Sequence, residues 1–155
     1  MRSVAVIGAR GFVGAAFCRA LRSQGIAVEE VTRENYAAST RGHHDVVIYA
    51  ASNSTKFLAD SDPVTEFESS VARRMKALFD FPAGVHVHVS SVDVYSCLES
   101  SARTVESEAF VDEPSNYGFH KRLEERLVHR YASDWLVVRL AGMVGPGLKK
   151  NPVFD

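Results

Sequence analysis

Two cysteines in 155 residues, Cys18 and Cys97, are too few and too far apart for a disulfide framework or a metal-ligand spacing, so both are read as reduced thiols filling space. Long apolar runs are lacking too: the longest, such as 46–51, are strand-length, which excludes a membrane-spanning helix. The N-terminus has none of the basic region, apolar stretch and cleavage site of a signal peptide, which points to the cytoplasm. Nor is one sign of charge in excess. Eighteen basic and 19 acidic residues are mixed along the chain for a net charge of −1, so no field selects nucleic acid or an acidic membrane. There is no internal repeat and no low-complexity stretch. What remains, 46% hydrophobic and 24% charged residues, is the composition of one globular domain whose partners must be chosen by a site.

Val4, Ala5, Val6 and Ile7 run up to Gly8 as a strand buried on both faces of a parallel sheet would. Beyond Gly14, Phe17, Cys18 and Leu21 recur at helical spacing until Gly25 closes the segment. Further strands are expected at 27–32 and 46–51. From Pro63 onward, the spacing of Val64, Phe67, Val71, Met75 and Leu78 predicts a helix with these residues on one face and Arg73, Arg74 and Lys76 turned to solvent. Val85, Val87 and Val89 alternate with His86 and His88 up to Ser90 and Ser91. Residues 117–131 then read as a helix, and 136–140 as a last strand before Gly145-Pro146-Gly147. Strands alternating with helices make an α/β fold, a doubly wound parallel sheet with helices on both faces. Only about a dozen residues, Arg33 to His44, join the second and third strands, so one strand and helix unit is expected to be missing.

Gly8-Ala9-Arg10-Gly11-Phe12-Val13-Gly14 places three glycines between a buried strand and a helix. A tight turn, a close backbone approach to a pyrophosphate and helix packing each require a missing side chain there, and the helix N-terminus offers N–H groups to phosphates. A dinucleotide site is therefore expected, held by Gly8, Arg10, Gly11, Phe12, Val13 and Gly14. The second strand ends in Thr32-Arg33-Glu34, where Arg33 suits the 2′-phosphate of NADP and Glu34 a ribose hydroxyl of NAD; the lean is to NADP. A solvated charge pair is the plainer alternative.

Tyr117 and Lys121 are four apart on a helix and share one face. An ammonium near a phenol favours the phenolate and lowers a pKa that is about 10 when unperturbed. Ser91, at the C-terminal end of a parallel strand, lies on the edge where such sheets bind ligands and can steady an oxygen on a reacting carbon.

These motifs resemble the short-chain dehydrogenase/reductase superfamily, extended branch, the NAD-dependent epimerase/dehydratase family that modifies nucleotide-linked sugars. The likeness rests on the glycine loop, Tyr49-Ala50-Ala51-Ser52, Ser90-Ser91-Val92-Asp93-Val94-Tyr95, Glu113-Pro114, Tyr117 to Lys121 followed by Glu124 or Glu125, and Arg139-Leu140 before residues 145–147. It implies a Rossmann-type fold and an oxidoreductase or epimerase that moves a hydride between a sugar carbon and nicotinamide. Tyr117 would be the general acid/base, Lys121 would hold the nicotinamide ribose and lower the tyrosine pKa, and Ser91 would bind the reacting oxygen. Tyr49, Ala50, Ala51, Ser70 and Leu140 would join the cofactor's contacts. Ser70 stands where the family has an asparagine that positions the lysine through water, and Asp93 supplies only the first of the two acids common in dehydratases. Residues 1–148 would be the NAD(P)-binding domain and 149–155 the start of a missing or truncated substrate-binding region: a fragment, or an unusually open site.

The remaining polar residues read blandly. His43, His44, His86 and His88 are taken as packed imidazoles rather than a metal site, His120 as a variable position facing solvent or substrate, and 121–130 as an exposed, ion-paired helix face with a homodimer interface as its second reading. The rival functions are a cofactor-binding regulatory protein without catalysis and an inactive N-terminal piece of a longer enzyme.

Overall fold

The computed structural model describes residues 3–40, 42–95, 98–106, 115–146 and 148. Cys97, Glu113, Pro114, Gly147 and the proposed substrate-binding stretch 149–155 lie outside them. The described strands, β1 (Val4–Ile7), β2 (Val28–Val31), β3 (His44–Tyr49), β4 (Ala83–Ser91) and β5 (Trp135–Leu140), form one parallel sheet in the order β2-β1-β3-β4-β5. The helices are α1 (Phe12–Ser23), α2 (Tyr36–Ser39), α3 (Leu58–Ser61), α4 (Pro63–Phe67), α5 (Arg73–Asp80) and α6 (Asn116–Tyr131). This is the doubly wound Rossmann-type fold. No strand lies outside β2 among the described residues, as the short 33–44 connection requires. None of their helices is long and apolar enough to cross a membrane.

Two apolar layers sandwich the sheet. Val4, Val6 and Ile48 pack on Cys18 of α1, while Ala5, Ile7, Val31, Val47 and Tyr49 on the opposite face meet Ala77 of α5 and Phe81. Gly25, at φ +74, ends α1 in the left-handed region open to glycine.

Two sequence expectations fail here, each for a physical reason. A π-helical turn, Glu68–Ala72, joins α4 to α5 and lets one extra residue into the ladder, which rotates the upstream face. Val64 and Phe67 are therefore exposed, while Glu66, Ser70 and Arg74 are buried. Along β4 the polar side is the better covered: α6 lies over His86 and His88, while Val85, Val87 and Val89 on the other side are half-buried. On α6, Lys121, Arg122, Glu124 and Glu125 are buried rather than a solvated face, because that side of the helix packs on β4.

Burial, reinforced by the nearby Arg74 guanidinium, lowers both imidazoles, His86 to about 4 and His88 well below the ordinary range. The unfolded chain takes up those protons first, near pH 6.5. The stability carried by the neutral rings is thus complete above about 6.5 and lost as the pH falls towards 4. The melting temperature should fall across that window, and His88→Leu should make the slope shallower; identical slopes would contradict the assignment.

Candidate functional site

β1 sits between β2 and β3, so the connections diverge at its C-terminal end, and a crevice opens where such sheets hold ligands. The crevice is a cavity of about 690 Å³, framed by Gly8, Arg10 and Gly11, by Thr32, Arg33 and Glu34 after β2, and by Ala50, Ala51 and Ser52 after β3. The glycines are dictated by close packing. Gly8 has φ +86, and a side chain there would put its Cβ 2.7 Å from the Ala50 carbonyl oxygen; a Cβ on Gly14 would come within 2.2 Å of the Gly8 carbonyl oxygen. Gly11 caps α1 without a side chain, so the N–H groups of the first turn, at Phe12, Val13 and Gly14, remain available to a phosphate.

Glu34 is engaged with Arg10 at 3.1 Å, and hydrogen bonding to Thr32 leads the effects that hold its carboxyl below the ordinary range. Arg33 has no carboxylate partner among the described residues, and neither does Arg73 on the opposite wall. Tyr36, Arg73 and Lys76 complete that wall and went unread in the sequence: with the connection after β2 so short, the cavity opens onto α5, which no local spacing discloses. Tyr49 also lines the cavity, but its ring lies under the Arg74 guanidinium, 4.6 Å from it, and burial raises its phenol. Ser70 and Leu140 do not line it: Ser70 is buried with its hydroxyl 2.5 Å from Glu66, and Leu140 ends β5.

Beyond Ser52 the polar residues meet from four elements. Ser91 ends β4, and its hydroxyl donates to Asp93 at 2.5 Å while accepting from the Asp93 N–H. Asp93 also accepts from Lys56 Nζ at 2.7 Å. Burial works to raise the Asp93 carboxyl, but the hydrogen bonds from Lys56 and Ser91 outweigh it and hold it below the ordinary range. Tyr117, in the first turn of α6, donates to the Asn53 carbonyl at 3.2 Å, with Lys56 and Lys121 ammonium groups 5.9 and 5.4 Å from its ring centre. Lys121 is buried and donates to Glu124 at 2.9 Å, and Glu124 also accepts the Ser52 hydroxyl. The structure thus gathers Ser91, Tyr117 and Lys121 around Asn53 and Lys56.

One expectation is reversed. Tyr117 is raised, not lowered: burial is the main cause, and the carboxylates of Glu124, Asp93 and Glu66 add to it. His120 is likewise no solvent-facing position; it is buried and paired with Glu66. Its spacing from Glu66 gave no warning, since the contact joins two helices 54 residues apart.

The sequence model of the NAD dependent epimerase/dehydratase family matches residues 4–81. None of the curated proteins matches the chain. Among solved structures it resembles a UDP-galactose 4-epimerase, with 25% identity and a TM-score of 0.80 over 96% of this chain and 59% of that one. The dTDP-4-dehydrorhamnose reductase of Yersinia enterocolitica gives 20% identity and 0.74 over 98% and 56%. The protein RMD of Pseudomonas aeruginosa, solved with NADPH, gives 20% and 0.78 over 96% and 57%. The chain spans a little over half the length of these structures.

Proposed function

The chain belongs to the NAD dependent epimerase/dehydratase family, and from that premise we propose that it binds NADP, or NAD, and serves oxidation and reduction at a hydroxyl or keto carbon of a nucleotide-linked sugar. The observation that carries the reading is the cavity at the β1–β3 switch point, framed by the glycines of the phosphate loop and by Arg33 and Arg73, which have no carboxylate partner among the described residues. Its residues fit a dinucleotide: Gly8, Gly11 and the first turn of α1 for the pyrophosphate, Arg33 for a 2′-phosphate, and Ala50 and Ala51 where small side chains leave room. The three similar structures, an epimerase, a reductase and a protein holding NADPH, support the class of chemistry.

When bound, the nicotinamide supplies the hydride donor or acceptor. Tyr117 gives a proton to the oxygen of a keto carbon being reduced, or takes one from a hydroxyl being oxidised; Ser91 holds that oxygen once its hydroxyl turns from Asp93; Lys121 meets the ribose. Residues 1–148 make up the cofactor-binding unit of a cytoplasmic enzyme. The homodimer contact expected on residues 121–130, several of which are buried, is proposed instead for the exposed Phe67 and Phe119, which both lie against the His120 ring. One observation favours the rival reading of a cofactor-binding protein without catalysis: Ser91, Tyr117 and Lys121 all make internal hydrogen bonds.

NADPH and NADH titrations followed by nicotinamide fluorescence test the proposal. NADPH is expected to bind the more tightly. Arg33→Ser should weaken NADPH by about 10- to 100-fold, the worth of a charge-assisted hydrogen bond of roughly 1.5–3 kcal/mol, and leave NADH unchanged. Gly11→Glu should block both. Wild-type protein that binds neither cofactor would overturn the reading.

A further inference from the structure

Helix α6 carries two adjacent buried carboxylates with different duties. Glu125 closes the ion pair with Arg139 that ties α6 to β5. Glu124 faces the site instead: it is fully buried, takes the Lys121 ammonium on one oxygen at 2.9 Å and the Ser52 hydroxyl on the other, and has His88 Nε2 of β4 3.9 Å away. Arg74 from α5, Tyr49 from β3 and Tyr117 from its own helix also interact with it, while Asp93 and Glu66 from α4 act on Tyr117. Lys56, the second ammonium beside the Tyr117 ring, also carries a carboxylate of its own, Asp93. An ion pair at hydrogen-bond distance presents a dipole, not a charge, to a third group a few ångströms off, so neither lysine acts on the phenol as a free cation.

We propose that Glu124 is a positioning residue for proton transfer at Tyr117: by closing an ion pair with Lys121 it withholds from the phenol the cation that would stabilise the phenolate, so that Tyr117 keeps its proton while the pair is closed. The inference rests on the reading of Tyr117 as the acid/base. Its geometric basis is the Ser52–Glu124–Lys121 chain beside the Tyr117 ring.

Phenolate absorbance against pH, with the Tyr117→Phe protein subtracted, reads the ionisation of Tyr117 directly. Glu124→Gln should lower its midpoint by about one pH unit or more, the effect of one nearby charge. The double variant Lys121→Met/Glu124→Gln, which buries a neutral pair, should return it to within a few tenths of wild type, as a silent pair demands. Superimposable curves for wild type and Glu124→Gln would overturn the proposal. If Glu124→Gln does not fold, the double variant decides: a midpoint raised by about one pH unit would mean Lys121 had acted on the phenol unopposed, which also overturns it. NADPH titration of the wild-type protein runs in parallel. Absent binding sinks the cofactor reading while leaving the tyrosine result intact, whereas binding with unchanged tyrosine curves sinks the role of Glu124 alone.

Discussion

Glu125→Ala should cost about 3–5 kcal/mol of stability, the penalty for stranding one member of a buried ion pair. For a chain of this size that is a fall of roughly 6–20 °C in melting temperature. Glu125 is fully buried and accepts three hydrogen bonds: from Ser90 at 2.5 Å, and from Arg139 Nε and Nη2 at 3.0 and 2.8 Å. The bonds it donates to Glu125 are the main reason the Arg139 guanidinium is raised above its ordinary range, and Arg139 reaches on to the Tyr95 hydroxyl and the Glu106 carbonyl. Truncation leaves the guanidinium without a counter-charge at the end of β5 and a buried serine hydroxyl without an acceptor. Two controls separate charge from shape. Glu30→Ala, which breaks an exposed pair with Arg22, should cost under about 1 kcal/mol. Glu125→Leu with Arg139→Met should recover most of the loss, since a well-packed apolar pair often matches a buried ionic one. Thermal melting decides the matter: a Glu125→Ala protein within about 1 kcal/mol of wild type would show that α6 is held to the sheet by packing alone.

The sheet and the phosphate loop were legible because their causes are local. Val4 to Ile7 is apolar on both faces, and Gly8 and Gly14 are glycine because backbone atoms occupy the space of a side chain; both facts are written in adjacent residues. Even the missing strand could be read, because 33–44 is too short to hold one. Arg74 shows what could not be read. Its spacing from Arg73 and Lys76 marks a solvated helix face, yet it sits beside the buried Val71, Ala77 and Leu78 and lies over Tyr49, where burial lowers its guanidinium to about 10. The polar groups of α6 were misread for a related reason. Charged residues at helical spacing look solvated until the partners appear, and those partners, Ser52, Ser90, Val94 and Arg139, come from other parts of the chain. That Ser91, Tyr117 and Lys121 are candidates was legible from motif spacing. That each is already held, by Asp93, Asn53 and Glu124, was not.

Tyr117→Phe should lower turnover of a nucleotide-linked sugar by about 10²- to 10⁴-fold, the usual contribution of a positioned acid or base, while leaving cofactor binding in place. Folding should change little, because the hydroxyl makes one hydrogen bond, to the Asn53 carbonyl, worth about 0.5–1.5 kcal/mol. Under the proposed role of Tyr117, its raised phenol favours reduction over oxidation at neutral pH. Tyr117 is fully protonated at neutral pH, so it is ready to donate to the oxygen of a keto carbon but is a poor acceptor from a hydroxyl. Reduction should therefore run at a constant rate through the neutral range, while oxidation climbs with pH without reaching a plateau there. The climb meets a second limit. Tyr36, Tyr49 and Tyr117 are all raised, chiefly by burial, so the unfolded chain loses these protons first, near pH 10. Their contribution to stability is complete below that pH and is lost as the pH rises through the folded values, so the melting temperature should fall while oxidation is still climbing. Rates in both directions across the pH range, with circular dichroism on the same samples, test each step. A Tyr117→Phe protein within tenfold of wild-type turnover would remove Tyr117 from the chemistry, and an oxidation rate already level at neutral pH would mean that bound ligands free Lys121 from Glu124 and bring the phenol down.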